Sequence, residues 1–118
     1  MKLMLIEENA GLRRLLRRLL RNSGADLCEC IEGTAAVSLC VLEQPDWAVV
    51  DMNLARANGL QVLEQIHAAC PQTRLIVIAD EDSPRLRARA LTAGADDYVL
   101  KENLAALQQI FTTNQPCT

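Results

Sequence analysis

Five residues combine a capable side chain with a telling position. Glu7 and Glu8 follow the apolar run 3–6, Asp51 follows 47–50, Asp80 follows 75–79 and Lys101 follows 97–100. Carboxylates gathered in one place repel one another unless a cation neutralises them, and an all-oxygen set suits Mg²⁺. A lysine beside them can pair with an anion such as phosphate. The chemistry indicated is Mg²⁺-assisted phosphoryl transfer to a carboxylate, with Asp51 as nucleophile. The competing reading is that these are solvated loop acids that happen to follow apolar runs.

Whether they meet depends on the elements that carry them. Each apolar run is short enough for a buried strand, and each is followed by an amphipathic stretch. Residues 10–22 place Leu12, Leu15, Leu16, Leu19 and Leu20 on one helical stripe, and Gly24 ends that helix. Residues 26–31 form a second strand, more polar and so nearer a sheet edge. A helix over 34–43 stops before Pro45, and the third strand, 47–50, ends in Asp51. Residues 52–58 are a loop, and 59–69 a helix with Leu60, Leu63 and Ile66 on one face, closed by Pro71. The fourth strand, 75–79, has no polar residue. Ser83 is a suitable N-cap and Pro84 a suitable first residue for a helix over 84–93, which Gly94 ends. A fifth strand over 97–100 and a last helix over 104–112 follow. Five strand–helix units with short connections predict a doubly wound parallel α/β sheet. Such sheets bind ligands at the carboxyl ends of their strands, where all five residues fall.

Composition agrees with that architecture and excludes others. The chain has 118 residues, 50% hydrophobic but only 3% aromatic, so one domain with an aliphatic core is expected. A net charge of −3 argues against a polybasic membrane or nucleic-acid binder, and three aromatics are too few for a base-stacking platform. No apolar run reaches the length of a membrane span, and the N-terminal run is too short for a signal peptide, so a cytoplasmic location is expected. The five cysteines, Cys28, Cys30, Cys40, Cys70 and Cys117, then read as reduced thiols. Cys28 and Cys30 share one side of a strand, and His67 and Cys70 one helix face; neither pair has zinc-site spacing. Arg13, Arg14, Arg17, Arg18 and Arg21 form the polar face of the first helix, either solvated or a docking surface. No Gly-x-Gly-x-x-Gly follows a strand, and Asp51-Met-Asn53 is not the Asp-x-Asp of aspartyl-phosphate phosphatases.

Several stretches together resemble the receiver domains of two-component response regulators, the CheY-like family. These are the acidic pair Glu7-Glu8; Asp51-Met-Asn-Leu-Ala-Arg-Ala-Asn-Gly59, with a glycine eight residues after the aspartate; and Ala90-Leu-Thr-Ala-Gly-Ala-Asp-Asp-Tyr-Val-Leu-Lys101. The resemblance covers essentially the whole chain. It implies a flavodoxin-like (βα)5 fold with strand order 2-1-3-4-5, a receiver over residues 1–114, and a tail or linker start at 115–118. Asp51 would accept a phosphoryl group from a sensor histidine kinase or phosphotransfer protein. Mg²⁺ would be held by Glu7, Glu8, Asp51 and the main-chain carbonyl of Asn53, and Lys101 would contact the phosphoryl group. Tyr98 matches the aromatic switch, while Asn53 and Glu81 match positions that tune dephosphorylation. The resemblance also implies a signalling domain rather than an enzyme, without direct nucleic-acid or membrane contact. The face formed by the fourth helix, fifth strand and fifth helix would meet an output domain or a second copy, transcription regulation being one output. The first helix would dock on the kinase.

Four positions depart from the family pattern. Glu8 stands where Asp is usual; the extra methylene moves its carboxylate by about 1.5 Å and weakens the fit to Mg²⁺, whose octahedral bonds are about 2.0–2.1 Å long. Ala79 replaces the Thr or Ser whose hydroxyl bonds the phosphoryl group, a contact worth roughly 1.5–3 kcal/mol. Its loss would shrink a population shift by about ten- to a hundredfold. Asp80 replaces a small residue and puts a negative charge beside the phosphoryl group. Glu102 follows Lys101 where proline is common, so no cis peptide is expected there. These departures leave a second reading open, a degenerate receiver that binds its partner without phosphate.

Overall fold

The alternation of apolar residues along each strand divides the core into two layers. The computed structural model describes residues 1–113. Its strands are β1 (Lys2–Ile6), β2 (Asp26–Cys30), β3 (Trp47–Asp51), β4 (Arg74–Ala79) and β5 (Asp97–Leu100). Its helices are α1 (Ala10–Leu20), α2 (Ala36–Glu43), α3 (Gly59–Ala69), α4 (Pro84–Ala93) and α5 (Ala106–Thr113). All strand pairs are parallel, in the order β2-β1-β3-β4-β5. This is the expected flavodoxin-like sheet, with the more polar β2 at an edge.

Successive residues of a strand point to opposite faces. Leu3, Leu5, Trp47, Val49, Ile76, Ile78 and Val99 therefore pack with Leu16 and Leu20 of α1 and Leu107 and Phe111 of α5. Met4, Ile6, Ala48, Val50, Leu75, Val77 and Ala79 face the other way, onto Cys40 of α2, Val62, Leu63 and Ile66 of α3, and Ala90 and Ala93 of α4. Burial of these aliphatic faces, each side chain contributing about 1.5–3 kcal/mol, drives assembly of the three layers.

The boundaries differ from the sequence-based expectation in small, explicable ways. The first helix ends at Leu20 rather than residue 22, and Gly24 takes the left-handed φ of 80° in the turn that follows. The segment before α2 is a tighter 3-10 turn, Gly33–Ala35, and Gln44 adopts φ 49° to end α2 before Pro45. A second 3-10 turn, Lys101–Asn103, precedes α5, so that helix starts two residues later than expected. Ser83 caps α4 by accepting from the Leu86 N–H, with Pro84 at the first helical position. Gly94 closes α4 at φ 119°, where a Cβ would lie 2.4 Å from His67 Cγ.

Cys28 and Cys30 do share one side of β2, toward the α2 layer. His67 and Cys70 do not share a face: Cys70 lies just past α3 and turns into the core, while His67 stays exposed. Burial pushes the Cys40 thiol up to about 12, with the nearby Cys70, Cys30 and Cys28 adding to the effect. No described helix is long and apolar enough to cross a membrane. The tail at 115–118, including Cys117, lies outside the described residues.

Candidate functional site

Strand register assembles the site. Ile6 pairs with Val50, so the next residues, Glu7 and Asp51, come abreast with the same parity as Leu5 and Val49. Ala79 pairs with Leu100, so Asp80 and Lys101 are likewise neighbours one step beyond the ladder. All four side chains leave the strand ends with the parity of the α1 and α5 layer. They open into a cleft of about 660 Å³ at the carboxyl edge, whose outer wall includes Leu12, Ile31, Leu54 and Arg56.

Asp51 is only 3% exposed, and its Oδ1 accepts from two donors: the Asn53 N–H at 2.7 Å and Lys101 Nζ at 2.9 Å. Lys101 Nζ also lies 3.1 Å from Asp80 Oδ1. Burial alone would lower the lysine's pKa, but Asp51 and Asp80 together hold it above the ordinary value. Glu7 is 2% exposed and its Oε1 has no hydrogen-bond partner. Burial, then the hydrogen bond and charge of Asp51, push Glu7 up to about 8, against the opposing pull of Lys101. At neutral pH Glu7 therefore holds a proton that a divalent cation would displace.

Glu8 lines the same cleft, but backbone donors engage its carboxylate. Its Oε1 accepts from the Arg56 N–H at 2.9 Å and its Oε2 from the Gly33 N–H at 3.3 Å. Burial would raise its pKa, but these backbone donors outweigh that and lower it. Glu8 thus ties the loop after β3 to the turn before α2.

Asn53 bridges the rim, its Oδ1 accepting from the Asp80 N–H at 3.3 Å. Tyr98, on the α4 side of β5 like Ala79 on β4, is buried; its hydroxyl donates to the Glu81 carbonyl at 2.8 Å and Arg87 lies over its ring at 4.8 Å. Glu81 thus meets Tyr98 through its backbone. Ala79 is buried and offers no polar atom. Gly59 opens α3 where the chain doubles back: a Cβ there would lie 2.6 Å from the Asp51 carbonyl oxygen and 2.7 Å from that of Met52. Arg13, placed by the sequence only on the polar face of the first helix, donates to the Glu7 carbonyl at 2.9 Å and fixes the start of α1 against the site. Arg17 pairs in two-point fashion with Glu29.

Among the described residues no cluster of three His, Cys, Asp or Glu side chains is arranged to hold a metal. Mg²⁺ does not need one, since it keeps several waters and takes one or two carboxylates. The unpartnered Glu7 oxygen beside Asp51 fits that demand.

Similarity to known proteins agrees with this arrangement. A model of the response regulator receiver domain family matches residues 3–112. The chain is 28% identical to the response regulator MprA of Mycobacterium avium (strain 104), over 98% of this chain and 53% of that protein. It spans about half the length of the curated relatives it matches. Its fold is like that of a CheY-like receiver domain from Methanospirillum hungatei JF-1, with TM-score 0.85, 19% identity, and coverage of 95% of this chain and 90% of that one. It is also like a LuxR-family DNA-binding response regulator from Staphylococcus aureus, with TM-score 0.83, 23% identity, and coverage of 95% and 96%. Receiver domains are signalling domains, and their family typically binds Mg²⁺ at the phosphorylation site. The chain belongs to the response regulator receiver domain family.

Proposed function

We propose that Asp51 accepts a phosphoryl group from a phosphohistidine on a sensor histidine kinase or phosphotransfer protein, and that the domain relays this as a conformational change. The observation that carries the reading is the buried Asp51 carboxylate held between Glu7 and Lys101 at the floor of an open cleft. An Asp51 oxygen attacks phosphorus, the phosphorus–nitrogen bond breaks, and the imidazole leaves with the bonding pair. Lys101, already 2.9 Å from Asp51, follows the negative charge onto a phosphoryl oxygen. The Asn53 N–H fixes one Asp51 oxygen and so orients the other. Mg²⁺, when bound, neutralises the phosphoryl oxygens during transfer. Glu7, Asp51 and the Asn53 carbonyl would hold it, whereas Glu8 must give up two backbone bonds to join them.

Ala79 and Tyr98 form the other half of the device. Tyr98 is bonded to the loop after β4 rather than to a hydroxyl on it, so the switch works without that relay and with a smaller population shift. The relay reaches a partner through α4, β5 and α5, an output domain or a second copy; the likeness to a DNA-binding response regulator supports transcription regulation as one output. Asn53, Asp80 and Glu81 tune how long the phosphoryl group lasts. The protein acts in the cytoplasm, where kinase and phosphodonor are found.

The test is intact mass after incubation with Mg²⁺ and a small phosphodonor, with Asp51→Asn as control. A single phosphoryl adduct on the wild type and none on the variant is expected. No adduct on the wild type, under conditions that label another receiver domain, would overturn the proposal.

A further inference from the structure

We infer that Asp80 is a resident counter-ion of Lys101 which any anion arriving at Asp51 must displace, so that the loop after β4 holds down the occupancy of the phosphoacceptor site. The inference rests on the phosphoacceptor reading of Asp51 and concerns how that same site is regulated. A single ammonium serves two carboxylates here, at 2.9 Å and 3.1 Å. The pairing is built in. Asp80 follows directly on the Ala79–Leu100 rung of the sheet, abreast of Lys101, and its own N–H is tied to Asn53 Oδ1.

A phosphoryl group on Asp51 brings nearly two negative charges within reach of the same ammonium. Lys101 cannot serve those oxygens and Asp80 equally. The Asp80 side chain is 57% exposed and the lysine 20%, so Asp80 has room to swing into water. If it swings out, the Lys101–Asp80 pair is lost; if it stays, it repels the new charge. Both outcomes oppose occupancy. At a half-exposed, partly screened site either one costs about three- to tenfold in affinity. The repulsion expected from the sequence is thus only one of two outcomes; the other is the loss of a cation that the phosphoryl group takes from Asp80.

Beryllofluoride with Mg²⁺, a mimic of the phosphoryl group, tests this directly. Its affinity is measured from the bound fluorine resonance for the wild type and for Asp80→Asn, Asp80→Glu and Asp51→Asn. Asp80→Asn removes charge at constant size and is expected to bind about three- to tenfold more tightly than the wild type, with the gap narrowing as salt rises. Asp80→Glu restores the charge and is expected to stay near the wild type, which a purely steric role would not require. Binding by the Asp80→Asn protein alone also supports the competition. Equal or weaker binding by Asp80→Asn, with the wild type still binding, overturns the competition and leaves the acceptor reading standing. No bound signal in either protein, or one that survives Asp51→Asn, overturns the acceptor reading and the competition with it.

Discussion

At the scale of single residues, the site is governed by one proton held on Glu7 and one ammonium shared by two carboxylates. Glu7 is an ordinary glutamate in sequence; only burial against Asp51 pushes it up to about 8. Between its ordinary value of 4.5 and about 8, the folded chain keeps a proton that the unfolded chain has lost. Stability therefore falls as pH rises through that window, because the native state binds more protons than the unfolded one. The melting temperature of the metal-free protein is expected to drop steadily from pH 5 to pH 8.5, and Glu7→Gln, which cannot ionise, to flatten that slope and melt higher than the wild type at the upper end. A wild-type melting temperature that rises over the same range would contradict this account. The proton also opposes metal uptake, so the stabilisation by Mg²⁺ grows as pH approaches 8. Two site residues were legible only in part for the same reason. Glu8 and Asp80 were identified as acids at strand ends, but their partners, backbone amides for one and Lys101 for the other, depend on where neighbouring loops lie.

At the scale of elements, the strand–turn–helix junction after β3 is the most constrained. The spacing from Asp51 to Gly59 has a steric cause: α3 begins against the backbone that carries Asp51, and there is no room for a Cβ. Asn58 caps the helix by accepting from the Gln61 N–H. Gly59→Ala is expected to cost about 1–3 kcal/mol, because overpacking against fixed backbone cannot relax by rotamer change. Chemical denaturation would show a lowered midpoint with an unchanged slope; a midpoint equal to the wild type would mean the junction is looser than its geometry indicates. Helix and strand identities were legible from periodicity, caps and breakers throughout. Among the ends that differed, the first helix stopped early at Leu20, and 3-10 turns at Gly33–Ala35 and Lys101–Asn103 lie ahead of later-starting helices. Apolar periodicity alone does not separate the two kinds of turn.

At the scale of the whole molecule, α5 closes the layer that backs the site. Phe111 packs edge-on against Trp47, ring centres 5.1 Å apart, with Arg74 over the indole at 5.1 Å. The tryptophan is the chain's only one, so its fluorescence reports on the docking of α5. Phe111→Ala is expected to cost about 3–5 kcal/mol through lost burial and the cavity left behind. That is a large share of the roughly 5–15 kcal/mol that stabilises such a domain. A red-shifted native emission and an early unfolding midpoint would check it; an unchanged midpoint would mean α5 contributes little. The sequence by itself determined the α/β class, the five strand–helix units and the presence of acids and a lysine at strand ends, because apolar period and breaker residues are local properties. Tertiary structure decided which of those acids meet. Glu7 and Glu8 are adjacent in the chain and both line the cleft, yet Glu7 lies against Asp51 while the loops bring the amides of Gly33 and Arg56 to Glu8. Register, a property of pairs of strands far apart in sequence, decided that Asp80 shares the ammonium of Lys101 with Asp51.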